Sequence, residues 1–235
     1  MNSSIRIGFD LDGVIAAHPF GGLFLALRKW KERWLFKSHN SRYYYPDTSV
    51  EKFVWKLINN RRRPAKGAGK LLEHLQNTSR SISHPERSSR SFGRNEAEGS
   101  LSDRFLHSSS DLEDFGRNDE KNNFGVYLVT TRFGFLENIT INWLKKYHLH
   151  QLFHQVIINK KDLEPNEFKV KTVKELGLDY FVDDDLETLN ILSKNTETKL
   201  IWLCPPHVNP AINKNPEIVS CDNLSSIYSS IKLAQ

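Results

Sequence analysis

Aspartates and threonines follow three short apolar runs of the 235-residue sequence, at positions where buried strands would end. They are, in chain order, Asp10 and Asp12, Thr130 and Thr131, and Asp183, Asp184 and Asp185. If the strands are neighbours in one parallel sheet, these side chains converge on one crevice. As many as five carboxylates would repel one another there unless a cation lay among them, and oxygen-only ligands suit Mg²⁺ better than zinc. The residue types therefore predict a magnesium site.

The first motif, DLDG at residues 10–13, has two other interpretations. A calcium loop of the EF-hand type needs Asp or Asn at its fifth position and Glu at its twelfth, where this chain has Val14 and Gly21. The spacing excludes that loop. Asp and Gly at the end of a strand are also common in ordinary turns, but a turn alone does not account for the two further polar clusters.

The segments that must position these residues alternate between strand and helix. Strands are predicted at 5–9, 125–132, 155–159, 179–185, 198–204 and 217–221, and helices at 66–76, 137–147, 168–177, 186–195 and 223–233. Gly177 is expected to end its helix, and Asp185 to cap the next one. This alternation predicts a parallel sheet with right-handed crossovers, with ligands bound at the carboxyl ends of the strands.

Residues 17–64 form a separate block that is aromatic and basic. Between 17 and 66 there are 12 Lys or Arg and 3 Asp or Glu. One predicted helical face carries Leu23, Leu27, Trp30 and Trp34, and a second helix around Phe53, Leu57 and Ile58 has Thr48 or Ser49 as its N-cap. Positive charge and rings, Tyr45 and Trp55 among them, would suit a phosphorylated substrate that carries a base. Alternatively, the tryptophans form the core of this block, and Arg61, Arg62 and Arg63 are a solvated face.

Residues 77–123 are rich in Ser, Arg, Asn, Asp and Glu, which predicts a disordered insertion that cannot bury enough apolar surface to order itself. A loop that binds a partner or regulates the protein is the alternative. The chain as a whole has a net charge of +5, which favours anionic ligands without choosing between nucleic acid and a small phosphorylated substrate. Two cysteines and no long apolar run predict a cytoplasmic protein that does not span a membrane.

At this point a resemblance to a known family is visible. FDLDGV resembles the first motif of the haloacid-dehalogenase-like (HAD) phosphohydrolases, and LVTTR resembles the second, an apolar strand that ends in Thr or Ser. A lysine ahead of FVDDD, and the acidic pair itself, resemble the third and fourth motifs. The sequences FDLDGV, VTTR and FVDD, the last with a KT pair ahead of it, are most similar to the 5′-nucleotidase-like branch. The resemblance implies an α/β fold, a Rossmann-like three-layer parallel sheet formed by residues 1–16 and 65–235, with a small helical cap inserted at 17–64.

The resemblance also implies a role for each matching residue. Asp10 would be the nucleophile that takes the phosphoryl group, and Asp12 would exchange protons with the leaving group and with water. Thr130, Thr131 and Arg132 would bind the substrate. Lys171 is the lysine predicted to neutralise the phosphoryl oxygens, with Lys169, Lys160 and Lys161 as the open alternatives. The ion, Mg²⁺, would be held by Asp10, the backbone carbonyl of Asp12, and the acidic pair of Asp183 and Asp184.

The predicted function is therefore a Mg²⁺-dependent phosphomonoesterase that acts on a small phosphorylated substrate, with a nucleotide as the narrower prediction. A phosphatase of nucleic-acid ends is the first rival, since the basic block favours it although no nucleic-acid-binding motif is present. A non-catalytic protein of the same fold that binds partners through its serine-rich segment is the second rival. The presence of all the expected catalytic groups favours the enzyme.

Overall fold

The computed structural model of the protein describes residues 5–17, 45–80 and 124–233. The predicted helical face at 23–34 and most of the predicted insertion, residues 81–123, lie outside the described residues. The division into a core and a cap therefore stays a prediction. Of the predicted insertion, residues 77–80 are described, and they belong to a helix.

The described residues form one sheet of six parallel strands in the spatial order β3-β2-β1-β4-β5-β6. The strands are β1 (Ile5–Asp10), β2 (Phe124–Phe133), β3 (Gln155–Asn159), β4 (Tyr180–Asp183), β5 (Lys199–Leu203) and β6 (Ile218–Cys221). The chain leaves β1 toward one edge of the sheet and returns to pair β4 with the other side of β1. This reversal of strand order creates a crevice at the carboxyl ends of β1 and β4. The prediction of a Rossmann-like parallel α/β sheet is confirmed.

The described residues contain six α-helices. They are α1 (Ser49–Asn60), α2 (Ala68–Arg80), α3 (Glu137–Lys146), α4 (Pro165–Leu176), α5 (Leu186–Ser193) and α6 (Leu224–Leu233). Thr48, rather than Ser49, caps α1 and forms a reciprocal capping box with Glu51. Gly177 ends α4 in the left-handed conformation, and Asp185 caps α5, both as predicted.

Two helices have one boundary that differs by three or four residues from the sequence-based prediction. Helix α2 continues to Arg80, four residues beyond its predicted end, because the polar residues after Gln76 do not interrupt the helix. Helix α4 begins at Pro165 instead of residue 168, with Glu164 as the N-cap that accepts a hydrogen bond from the backbone of Glu167. Proline is well suited to the first position of a helix, where its missing N–H has no intrahelical partner in any case.

Apolar clusters cover both faces of the sheet, which makes the three layers. One face of the sheet packs Ile7, Phe9 and Leu128 against α2, α3 and α6. The other face packs Phe181 of β4 and Trp202 of β5 against α4 and α5. Strands that are buried on both sides read as nearly continuous apolar runs. The central strands are therefore held firmly, and the polar residues at their carboxyl ends have fixed positions.

Within the described ranges, no helix combines the length and the apolar character that crossing a membrane requires.

Candidate active site

Asp10 is the last residue of β1, which lies between β2 and β4 near the middle of the sheet. The side chain of Asp10 is buried. One carboxylate oxygen accepts a hydrogen bond of 2.8 Å from the backbone N–H of Asp12. The other carboxylate oxygen lies 3.0 Å from the ammonium nitrogen of Lys169. Its carboxylate is thus oriented by two donors at the mouth of the crevice.

Lys169 joins the ends of β1 and β4. It stands in the second turn of α4 and is almost completely buried. Its ammonium nitrogen lies 2.6 Å from a carboxylate oxygen of Asp183, while it also contacts Asp10. The second Asp183 oxygen accepts a hydrogen bond of 3.1 Å from the backbone of Asp185. A single buried cation therefore bridges two buried carboxylates.

Asp184 completes an acidic cluster with these two aspartates. One carboxylate oxygen each from Asp10, Asp183 and Asp184 can be chosen such that all lie within 4.8 Å of one another. Gly13, with a φ of +96°, lets the turn after β1 pass directly against the Asp184 carboxylate, where a β-carbon would collide. The donor set consists of oxygen atoms only and carries more negative charge than Lys169 balances. Both properties fit Mg²⁺.

The pKa directions follow from burial and from like charges. Burial raises the pKa of Asp10 well above its ordinary value; Lys169 opposes this effect, and the other carboxylates add to it. Burial raises the pKa of Asp183 to about 6, again against the attraction of Lys169. For Lys169 itself, burial lowers the pKa, but attraction to Asp10 and Asp183 outweighs it and the pKa lies above its ordinary value. Lys169 is therefore charged at neutral pH, and a further cation would favour ionisation of both aspartates.

Asp12 lies beside this cluster and has a different set of partners. Arg132 binds both of its carboxylate oxygens, with Nε at 2.9 Å and a terminal nitrogen at 2.6 Å. Arg62 donates to one of the same oxygens. The other terminal nitrogen of Arg132 lies 3.2 Å from the hydroxyl of Thr140 in α3. Two buried guanidinium groups therefore hold one partly exposed carboxylate.

The two threonines near the end of β2 differ in burial. Thr130 is buried, one residue beyond the level of Asp10 in the strand register, and its hydroxyl accepts a hydrogen bond of 3.3 Å from the backbone of Arg132. Thr131 is half-buried. The strand register thus places Thr130 at the same edge of the sheet as Asp10.

The structure places Lys169, one of the open alternatives, and not Lys171 beside Asp10 and Asp183. Lys171 is 56% exposed, and its ammonium group lies 3.9 Å from Glu175, one helical turn farther along α4. Lys160, another alternative, is 63% exposed and pairs with Glu137. The reason is helical phase: residues two apart on a helix are separated by about 200°, so Lys169 and Lys171 lie on opposite sides of α4.

Arg62 is the residue of the site that the sequence analysis missed. One of the two sequence-based interpretations makes Arg61, Arg62 and Arg63 a solvated face, and Arg61 and Arg63 are indeed exposed. Arg62 itself is 5% exposed and contacts Asp12. The sequence contains no signal for this contact, because it joins residues that are 50 positions apart.

Comparison with known proteins identifies solved structures that are similar to this fold. The sequence matches no family model and no curated protein. A HAD-like hydrolase from Streptococcus pneumoniae is similar over 98% of this chain and 100% of its own, with a TM-score of 0.56 and 11% identity. A HAD hydrolase from Bacillus subtilis, determined bound to magnesium, covers 98% of this chain and 99% of its own, with a TM-score of 0.55 and 12% identity. A HAD phosphatase from Thermococcus onnurineus covers 97% of each chain at a TM-score of 0.55 and 14% identity.

These similarities establish the architecture of the chain. The protein has the fold of the HAD-superfamily hydrolases, as the resemblance of its motifs implied. The 5′-nucleotidase-like branch and the roles of individual residues remain predictions.

Proposed function

We propose that this protein is a Mg²⁺-dependent phosphomonoesterase that acts through an aspartyl-phosphate on Asp10. The observation that carries the proposal is the position of Asp10 at the end of β1. It is buried, it contacts Lys169, and it lies within one acidic cluster with Asp183 and Asp184. The HAD phosphatase from Thermococcus onnurineus, which has the same fold, supports this class of reaction.

Asp10 has the properties that a covalent nucleophile requires. Its hydrogen bond from Asp12 and its contact with Lys169 fix the direction of the carboxylate. In the proposed first step an Asp10 oxygen forms a bond to phosphorus, and the bond from phosphorus to the substrate oxygen breaks. Water then attacks the same phosphorus, which releases phosphate and restores the carboxylate. Asp10, Asp183 and Asp184 would hold Mg²⁺, which would supply positive charge to offset the negative charge of the phosphoryl group.

Lys169 and Thr130 are proposed to bind the phosphoryl oxygens. Lys169 carries a positive charge between Asp10 and Asp183, where it also lowers the repulsion between the nucleophile and an anionic substrate. Thr130 offers a buried hydroxyl next to the same strand ends. Asp12, two residues after the nucleophile and partly exposed, is proposed to protonate the leaving oxygen and then to remove a proton from water.

The proposed substrate is a small phosphorylated molecule, with a nucleotide as the narrower proposal. An aromatic cluster stands directly after Arg132: the rings of Tyr45 and Trp55 meet Phe133 edge to face at 5.3 Å and 5.7 Å. The Phe135 ring stacks on Phe133 at 5.5 Å. Rings so close to the end of β2 could contact a base or another flat group. A nucleic-acid end is the competing substrate.

Assays with purified protein test this function. Hydrolysis of p-nitrophenyl phosphate should require Mg²⁺ and stop when EDTA removes it. A panel of sugar phosphates, nucleoside monophosphates and oligonucleotides with 5′- or 3′-phosphates would then rank the substrates. Activity that is the same with and without Mg²⁺ contradicts the proposed cofactor, and no hydrolysis of any compound contradicts the enzyme. Preference for the oligonucleotides contradicts a small substrate.

The carboxylate cluster also predicts how pH changes the stability of the metal-free protein. The pKa of Asp183 is about 6, compared with about 3.9 for an aspartate in an unfolded chain. Between these pH values the folded protein holds more protons than the unfolded one. The free energy of unfolding contributed by this group therefore falls as the pH rises through that window, and the loss is complete above about pH 6.

Thermal melts of the wild type and Asp183→Asn test this predicted decrease in stability with rising pH. We expect the Tm of the wild type to fall relative to that of the variant between about pH 4 and about pH 6. At about pH 7.5, Mg²⁺ at about 100 times its Kd should raise the wild-type Tm by about 5–10 °C, and by less at about pH 5, where protons compete for the carboxylates. An equal response of both proteins to Mg²⁺ would remove Asp183 from the proposed metal site.

A further inference from the structure

Arg62 lies in the short segment between α1 and α2, and this segment is fixed to the core at three points. The backbone carbonyl of Arg62 accepts a hydrogen bond of 2.8 Å from the indole nitrogen of Trp143 in α3. In the residues that follow it, the carbonyl of Arg63 accepts a hydrogen bond from the backbone of Ala17, and the backbone of Ala65 donates one to the carbonyl of Ile15. The segment is therefore held against the turn that follows β1, and the position of the Arg62 side chain is set by rigid elements.

The burial of Arg62 is not explained by packing alone. A terminal nitrogen donates to Asp12, but Nε is buried without a hydrogen-bond partner among the described residues. Burial lowers the pKa of this guanidinium, and the Asp12 carboxylate opposes that effect. An apolar side chain of similar volume would fill the same space without removing a charge from water. We therefore attribute the buried position of the Arg62 guanidinium to its contact with Asp12.

Arg132 and Arg62 hold Asp12 in different ways. Arg132 binds both carboxylate oxygens and is itself tied to Thr140, so it sets the plane of the carboxylate. Arg62 approaches from the segment between α1 and α2 and donates to one of these oxygens. A carboxylate with donors from two directions has one allowed orientation, whereas a single bidentate partner still permits the pair to move together.

We propose that Arg62 is a positioning residue: with Arg132 it fixes the Asp12 carboxylate in the orientation from which Asp12 exchanges protons during phosphoryl transfer. This inference rests on the function proposed above for Asp12. Arg62 acts through Asp12 and does not bind the substrate. Since a displacement of about 1 Å in a reacting group can cost about 100-fold in rate, loosening Asp12 should reduce turnover with little effect on substrate binding.

Kinetic analysis of Arg62→Gln in two backgrounds tests the proposal. We expect kcat to fall by about 10- to 100-fold while KM changes by less than about twofold. In the Asp12→Asn background the same substitution should have no further effect, because the group that it positions is already lost. Arg62→Lys should recover part of the rate, since it retains the charge. Arg61→Gln and Arg63→Gln remove exposed neighbours and serve as matched controls with wild-type kinetics.

Other outcomes overturn the proposal in separate ways. A higher KM with an unchanged kcat would make Arg62 a substrate-binding residue. An equal fold loss in the wild-type and Asp12→Asn backgrounds would show that it does not act through Asp12. If Arg62→Gln does not fold, Arg62→Lys in the same two backgrounds provides the comparison.

A stability measurement tests the contact without reference to activity, and so separates failure of this inference from failure of the proposed function. The decreases in Tm caused by Arg62→Gln and Asp12→Asn should overlap, so that the double variant loses about 2–4 °C less than the sum. Arg63→Gln should be additive with Asp12→Asn. Full additivity of Arg62→Gln would exclude the contact, whereas a wild type without phosphatase activity would overturn the function and leave the contact in place.

Discussion

Replacing Asp10 with asparagine is expected to lower the phosphatase activity to background, by roughly three orders of magnitude or more. The variant keeps the shape of the side chain but loses the attacking oxygen and one negative charge of the acidic cluster. Because the amide can still fill the buried position at the end of β1, we expect the protein to remain folded. Steady-state hydrolysis of p-nitrophenyl phosphate, together with a circular dichroism spectrum, measures both properties.

Asp185→Asn is the matched control for this variant. Asp185 belongs to the same aspartate run as the proposed metal ligands, yet its side chain caps α5 and accepts a hydrogen bond from the backbone of Glu187. Asparagine caps helices about as well as aspartate, so activity and stability should remain close to those of the wild type. Full activity in Asp10→Asn would refute covalent catalysis by Asp10.

Asp12→Asn should behave differently from Asp10→Asn. It retains the nucleophile and loses proton exchange, which typically contributes about 10²–10⁴-fold. With a good leaving group the first step can proceed, whereas attack by water is slow, and a phosphorylated protein should accumulate. Labelled phosphate retained on Asp12→Asn but not on the Asp10→Asn, Asp12→Asn double variant would locate the intermediate on Asp10. Equal labelling of both proteins would place it elsewhere.

Replacing Lys169 with methionine is expected to reduce activity by about 10²–10³-fold, as for the loss of a preorganised group that stabilises charge in the transition state. The same change leaves two buried carboxylates without their shared cation. Breaking a buried pair of this kind costs about 3–5 kcal/mol, so the metal-free variant should also melt at a lower temperature. Kinetics with saturating Mg²⁺ and melts without it separate the two effects.

Lys171→Met is the control for Lys169→Met, since it makes the same substitution two residues farther along α4. Lys171 is exposed and pairs with Glu175 in a surface contact, which contributes little to stability. We expect wild-type kinetics and an unchanged Tm. If Lys171→Met abolishes activity while Lys169→Met does not, the structural assignment of the lysine is wrong.

The sequence by itself determined the sheet and the residues at its carboxyl edge. Apolar runs that end in Asp10, in the threonine pair and in Asp183 and Asp184 are local patterns, and parallel strands bring their carboxyl ends together at one edge. The caps at Gly177 and Asp185 were predictable for the same reason: each depends on the conformation of one residue and its immediate neighbours. Burial of the strands on both faces then makes their register and direction hard to change.

The choice of Lys169 over Lys171 could have been predicted from the sequence, provided that the helical periodicity of α4 was taken into account. Lys169 follows Phe168 and precedes Thr172 and Val173 by three and four positions, and these three, together with Lys169 itself, are the buried residues of the helix. Lys171 lies on the opposite face. Placing the apolar residues of this helix on its inner side would have selected Lys169, because residues three and four apart share one face.

Only the tertiary structure decided which arginine belongs to the site. In the sequence, Arg61, Arg62 and Arg63 are three equivalent cations, and nothing local distinguishes the middle one. The hydrogen bonds from Trp143 and Ala17 fix the backbone of this segment, and that backbone directs Arg62 inward to Asp12. The contact between Arg132 and Asp12 likewise joins residues 120 positions apart. Such contacts depend on how separate elements pack against each other, whereas the strand ends depend on the pattern within a single element.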